Sequence, residues 1–101
     1  MPNANYRKGV RFERQRQRAW EMKGYTVLRT AGSKGAFDLV AIKHNAPVEL
    51  IQCKSTKGGE AVAQRLVAAF KLERPFIDSR YFHQTIEVWS GSLHQLFTGT
   101  V

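Results

Sequence analysis

Asp38 stands fourteen positions ahead of Gln52-Cys53-Lys54, with an apolar, strand-like run on each side. A carboxylate, an amide oxygen and a backbone carbonyl gathered at one end of a hairpin are the hard oxygen ligands that a cation such as Mg²⁺ takes. Lys54 adds a positive charge beside them. This set suits phosphodiester cleavage, in which a bound cation lowers the pKa of an attacking water and offsets the charge that develops on phosphate.

The elements that must position these residues follow from the same stretch. Residues 37–43 and 48–54 are rich in β-branched and large apolar side chains, and His44-Asn45-Ala46-Pro47 between them carries turn signals. They are expected to pair as an antiparallel hairpin. Side chains alternate faces along a strand, so Gln52 and Lys54 share one face while Cys53 offers its carbonyl sideways. Asp38 joins that face only if paired residue numbers sum to an even value. A three-residue loop achieves this, either 44–46 with Lys43 opposite Pro47 or 45–47 with His44 opposite Val48, and a two-residue loop does not.

From about Tyr6 to Lys23 the chain lacks proline, is rich in Arg, Gln and Glu, and stops at Gly24, which predicts a helix with a glycine cap. Arg7, Arg11, Arg14 and Arg18 fall within about 60° of one another on its wheel, while Phe12, Ala19 and Trp20 gather opposite. The helix thus has a cationic stripe for phosphates and a stripe for docking. Arg16 and Lys23 fall among the docking residues, where their stems can pack while the charges reach outward. Glu13 is the one acid among six basic residues between Arg7 and Arg18. Its spacing fits equally an ion pair with an arginine three or four positions away and a helix-borne acid that completes the cation shell.

A first strand is expected over 25–31, followed by Gly32-Ser33-Lys34-Gly35. Two glycines around a hydroxyl and an ammonium allow close backbone approach to a phosphate, but the G-x-x-x-x-G-K-[ST] pattern is absent and no nucleotide cofactor is implied. Ser55-Thr56-Lys57-Gly58-Gly59 repeats this chemistry, either lining a nucleic-acid strand or acting as a flexible connector. Basic Lys8, Arg29, Lys34 and Lys57, together with Ser33, extend the helix stripe as DNA contacts. A second helix from Glu60 to about Leu72 should turn Val62, Leu66, Ala69 and Phe70 inward. A hairpin of 85–90 and 93–97 around Gly91-Ser92 closes the chain. Trp20, Phe82, Trp89 and Phe97 are expected in the core or at a subunit interface rather than against bases.

Composition sets the class. One hundred and one residues suggest one domain, read here over 1–101, with a real core. Sixteen basic against eight acidic side chains give +8, which favours a polyanion: DNA, RNA or an anionic membrane. A single cysteine excludes an intramolecular disulfide, and three scattered histidines give no zinc spacing. No leader or spanning apolar run is evident, so the chain is expected to be cytoplasmic, DNA-associated and not membrane-bound.

Arg7-Lys8-Gly9-Val10-Arg11-Phe12-Glu13, then Arg29-Thr30-Ala31-Gly32-Ser33-Lys34-Gly35 leading to Asp38-Leu39-Val40-Ala41, then Ile51-Gln52-Cys53-Lys54-Ser55, resemble the archaeal-type Holliday junction resolvases of the PD-(D/E)xK nuclease superfamily. The likeness covers roughly the first sixty residues in order and spacing. It implies an α/β, restriction-endonuclease-like fold with a mixed central sheet flanked by helices, and a Mg²⁺-dependent homodimer, with Mn²⁺ able to substitute, that resolves four-way DNA junctions by paired nicks. By position it implies Glu13 as the helix acid, Ser33 as the active-site loop serine, Asp38 as metal ligand and Lys54 as catalytic lysine. Gln52 stands where the family usually has glutamate, which removes one negative charge from the shell and should weaken cation affinity. A working variant site is the preferred reading, ahead of one needing more metal or an inactive relative. The rivals are a nuclease of the superfamily acting on other DNA structures and a noncatalytic basic DNA-binding module.

Overall fold

The computed structural model describes residues 4–30, 37–73 and 80–101, with side chains described from residue 9 onward. The element order is α1 (Ala4–Met22), β1 (Thr26–Arg29), β2 (Leu39–Ile42), β3 (Val48–Thr56), α2 (Glu60–Glu73), β4 (Phe82–Ser90) and β5 (Gln95–Thr100). The strands form one sheet in the order β1-β2-β3-β4-β5. Only the β3–β4 pairing is parallel, spanned by the α2 crossover, so this is the mixed sheet with flanking helices that the resemblance implied.

Alternation along β4 separates two layers. Ile86 and Val88 point into a core with Ala63, Val67 and Phe70 of α2 and Phe97 of β5, while Glu87 between them meets α1 on the other face. The second core lies under α1 and joins Val27, Leu39, Ala41 and Ile51, with Trp20, Tyr25 and Cys53 at its margin. The inward face of α2 differs from expectation. Ala63, Val67 and Phe70 are buried, Leu66 is half-buried, and Ala69 faces solvent. The helix is rotated because glycine on β5 lets it approach closely: a Cβ added to Gly99 would collide with Val67 Cγ1 and come within 3.1 Å of Lys71 Cε.

The end of α1 follows its sequence signal. Gly24, at φ 94°, donates to Glu21 O at 2.9 Å, and Tyr25 donates to Trp20 O at 3.3 Å, a Schellman cap. The Trp20 and Tyr25 rings meet edge to face at 5.0 Å, the apolar contact that accompanies this cap. Lys43 donates to Lys23 O at 2.9 Å, which satisfies a terminal carbonyl and ties the β2–β3 turn to the helix end.

The hairpin adopts the first of the two expected registers. Leu39 pairs with Ile51 and Val40 with Leu50, which places Lys43 opposite Pro47 around a 44–46 loop, with Asn45 at φ 60°. The strands are shorter than expected on the β1 and β2 sides and longer for β3 and β4. β4 begins at Phe82, inside a stretch whose sequence is ambiguous. The described residues of Ser55-Thr56-Lys57-Gly58-Gly59 are not a loose connector: Ser55 and Thr56 end β3, Gly58 N–H donates to Thr56 Oγ1, and the buried Ser90 hydroxyl donates to Gly58 O at 2.6 Å. Among the described residues no helix is long and apolar enough to cross a membrane.

Gly99→Ala should destabilise the fold by about 1–3 kcal/mol through overpacking against Val67, measured by denaturant unfolding. An unchanged midpoint would mean that α2 does not rest on β5 as closely as described.

Candidate active site

Asp38 is held from three directions. Its N–H donates to Ile51 O at 2.8 Å, its carbonyl accepts the Thr30 N–H at 3.0 Å, and its Oδ2 accepts the Cys53 N–H at 2.8 Å. The first of these bonds lies one position off the β2–β3 ladder. The neighbours show why. Phe37 packs with the α2 core, against Phe70, while Leu39 packs in the α1 core. Residues two apart on a regular strand share a face, so the chain must turn at Asp38. The carboxylate consequently reaches across the ladder to the amide of Cys53 instead of standing on one face beside Gln52, as parity alone predicts.

The site is a fork. β2 pairs with β3 from Leu39 onward, so among the described residues β3 has no β2 ladder partner beyond Ile51, and the Cys53 N–H is met by the Asp38 carboxylate instead. Gln52 and Lys54 lie beside Ile86 and Val88 in the β3–β4 ladder, on the α2 face, and are half-buried and exposed respectively. Glu13 comes from α1 on the other face. Cys53 N–H faces Asp38, and the N–H and C=O of one strand residue point the same way, so the Cys53 carbonyl also opens into the fork.

Glu13 is half-buried. Burial, and then the Asp38 carboxylate, push its pKa above the usual carboxylate value, with Arg29 opposing. Its electrostatic neighbours are thus Asp38 and Arg29. Arg16, the one arginine three or four positions from Glu13, is engaged elsewhere: its Nε and Nη2 form a bidentate pair with Glu87 at 2.8 and 3.0 Å, and Trp20 Nε1 donates to the same carboxylate at 3.2 Å. The intrahelical pair is therefore not the arrangement adopted, and Arg16 does not send its charge outward as expected. Lys23 does face solvent, over the Trp20 ring at 4.5 Å. The ion pair to Glu87 was not legible in the sequence, because its partners are 71 positions apart.

Among the described residues no group of three or more His, Cys, Asp or Glu side chains is gathered to hold a metal. The fork brings together instead two carboxylates, Glu13 and Asp38, beside the Cys53 backbone, with Gln52 following Ile51 on the α2 face of β3; oxygen donors of this kind suit a hard cation that keeps water and substrate oxygens in its shell. Burial, then Glu87, Asp38 and Glu13, drive the Cys53 thiol far above its ordinary pKa against the opposing effect of Arg16. It stays protonated, and its backbone carbonyl is the only part suited to the site.

Arg11, Arg14, Arg18, Arg29, Lys54 and Lys57 are exposed. Arg7 and Lys8 lie on α1, but their side chains, and Ser33 and Lys34 altogether, lie outside the described residues.

Two predictions follow from these contacts. Arg16→Ala should cost about 3 kcal/mol, the lower end for breaking a buried pair because Trp20 still donates to Glu87, while Arg16→Met with Glu87→Leu should recover most of it. Denaturant unfolding reads both. For Glu13 the folded-state pKa is raised, so folding favours the protonated acid and that contribution is lost as pH rises through the folded value. Without divalent cation Glu13→Gln should melt higher than the parent at pH 7 and match it below about pH 4. A lower melting point at pH 7 would contradict the Glu13–Asp38 repulsion.

The family model described as archaeal Holliday junction resolvase (Hjc) matches residues 4–67. A curated relative, crossover junction endodeoxyribonuclease Hjc from Methanocaldococcus jannaschii, is 45% identical over 51 residues, which cover 50% of this chain and 37% of the relative. The aligned part therefore spans little more than a third of that protein. The family match ends within α2, before β4 and β5. With the family pattern running through α1, the Asp38 fork and Lys54, the chain belongs to the archaeal Holliday junction resolvase family and has its restriction-endonuclease-like fold.

Proposed function

We propose that this chain is a structure-selective endonuclease that resolves four-way DNA junctions by paired symmetrical nicks, working intracellularly as a homodimer with Mg²⁺ or Mn²⁺. One observation carries the reading: Asp38 is pinned to the Cys53 amide, with Gln52 and Lys54 on the adjoining strand and the raised Glu13 facing it. Family membership and the net charge of +8 support the DNA substrate. The curated relative is named for crossover junction cleavage, and the activity is extended from it to this chain.

Asp38 Oδ1, the Gln52 amide oxygen, the Cys53 carbonyl and Glu13 would hold the cation. When bound, it supplies Lewis-acid activation of the scissile phosphate and of water. Lys54, exposed at the mouth of the fork, orients the attacking water and offsets charge that develops on the phosphate. Its ammonium does this as a mobile point charge with three donors. Glu13 would serve as a ligand in its ionised form, which a bound cation's positive charge would favour over the repulsion from Asp38. Arg11, Arg14 and Arg18 line up phosphates along α1, with Arg7, Lys8, Arg29, Lys34, Lys57 and Ser33 extending the contacts. A two-fold dimer would place two sites on strands of like polarity in a near two-fold junction.

The test is a labelled immobile four-way junction and a matched duplex, incubated with Mg²⁺, Mn²⁺ or EDTA. Metal-dependent paired nicks confined to the junction are expected; Lys54→Ala should lose them and keep junction binding. Cutting by Lys54→Ala at the parent rate would remove Lys54 from the mechanism, and binding without cutting in either metal would favour a noncatalytic binder. Gln52→Glu restores a negative charge and should lower the Mg²⁺ concentration that half-saturates cleavage; no change would mean that Gln52 does not touch the cation.

A further inference from the structure

Helix α1 covers the β3–β4 face as far as the Cys53/Glu87 pair, where Arg16 and Trp20 come down on Glu87. The next pair on that face, Ser55 and Trp89, borders a pocket of about 380 Å³ that also takes in Arg11 and Gln15 from α1 and Lys57 from the loop after β3. That volume is in the range of small-ligand sites. Arg11 and Lys57 are both exposed, and the lining contains no acid. Trp89 is half-buried, with its ring braced edge to face by His94 at 6.0 Å.

These groups match the parts of one nucleotide. A half-buried indole offers a flat apolar face, Gln15 and Ser55 offer neutral hydrogen-bonding groups, and two cations with no acid among the lining residues stand at the rim. Aromatic faces beside cationic grooves are how proteins hold single-stranded nucleic acid, since every base has a face to stack. In sequence Trp89 lies far from Asp38 and Lys54. The β3–β4 ladder removes that distance by setting Trp89 beside Ser55, the residue after Lys54.

We propose that this pocket holds one unstacked nucleotide of the DNA substrate, its base on Trp89 and its phosphate between Arg11 and Lys57. The inference rests on the junction-cleaving reading for the source of that nucleotide, a strand opened at the branch point. Glu13 faces Asp38 and Arg29, toward β1 and β2, whereas the pocket lies toward β4, so the two sites occupy opposite flanks of α1. Occupancy of the pocket therefore needs no divalent cation.

The experiment measures tryptophan emission of the full chain as a short oligothymidylate is added in EDTA, and junction binding by anisotropy under the same conditions. Saturable quenching is expected in the parent and should vanish in Trp89→Phe, where Trp20 alone reports. Trp89→Leu should weaken binding of the oligothymidylate about tenfold or more, with Trp89→Phe recovering most of the affinity. Arg11→Gln with Lys57→Gln, both at exposed positions, should weaken it with a shallower salt dependence, and this pair decides the matter if Trp89→Leu fails to fold. Absence of quenching, quenching that persists in Trp89→Phe, or parent affinity in the double glutamine variant would overturn the pocket. Quenching and variant losses in a protein that never cuts junctions would keep the pocket and remove the resolvase reading. Junction cutting with parent-like binding in the variants would do the reverse.

Discussion

A carboxylate buried in the middle of a sheet organises this molecule. Glu87 is 2% exposed on the central part of β4, and a charge so placed is tolerated only when it is paired and hydrogen-bonded. Arg16 and Trp20, four positions apart on α1, meet it with three donors. That demand sets the rotation of α1 and its height over β3. Glu13, one turn before Arg16, is thereby brought to the side of Asp38, and Arg11 and Gln15 to the side of Trp89. The ion pair is weak evidence for stability in itself. Its consequence is orientation, because a helix docked only through Phe12, Ala19 and Trp20 has several near-equivalent rotations.

The second constraint is the turn at Asp38. Phe37 is committed to the α2 core and Leu39 to the α1 core, so the residue between them spans the two layers and cannot lie in a regular ladder. Its backbone bonds to Thr30 and Ile51 hold that irregularity in place, and its carboxylate closes on Cys53. A site that drew on both faces of a sheet would need an opening in it. Here the opening is the end of β2, and Asp38 is its hinge.

Electrostatics within the fork fit the donor set. Glu13 and Asp38 repel each other, Arg29 relieves part of the repulsion, and the Cys53 thiol is held protonated chiefly by burial, with Glu87, Asp38 and Glu13 adding to it. With Gln52 in place of a third carboxylate, the fork carries less negative charge than a three-acid shell.

The local features of the chain were legible from residue order. Gly24 ends α1 because a left-handed cap is a short-range property, and a period-two pattern narrows the hairpin to a three-residue loop at 44–46 or 45–47, of which the structure adopts the first. The family likeness, too, resides in contiguous segments through Lys54. Residue order did not reveal the rotation of α2, which depends on Gly99 on a strand some thirty positions after Val67. Nor could it reveal the partner of Arg16, the bend at Asp38 or the company of Trp89. Each of these is decided where two elements distant in sequence compete for the same volume or the same buried charge. Spacing along the chain identifies which groups are available, and packing alone determines which of them meet.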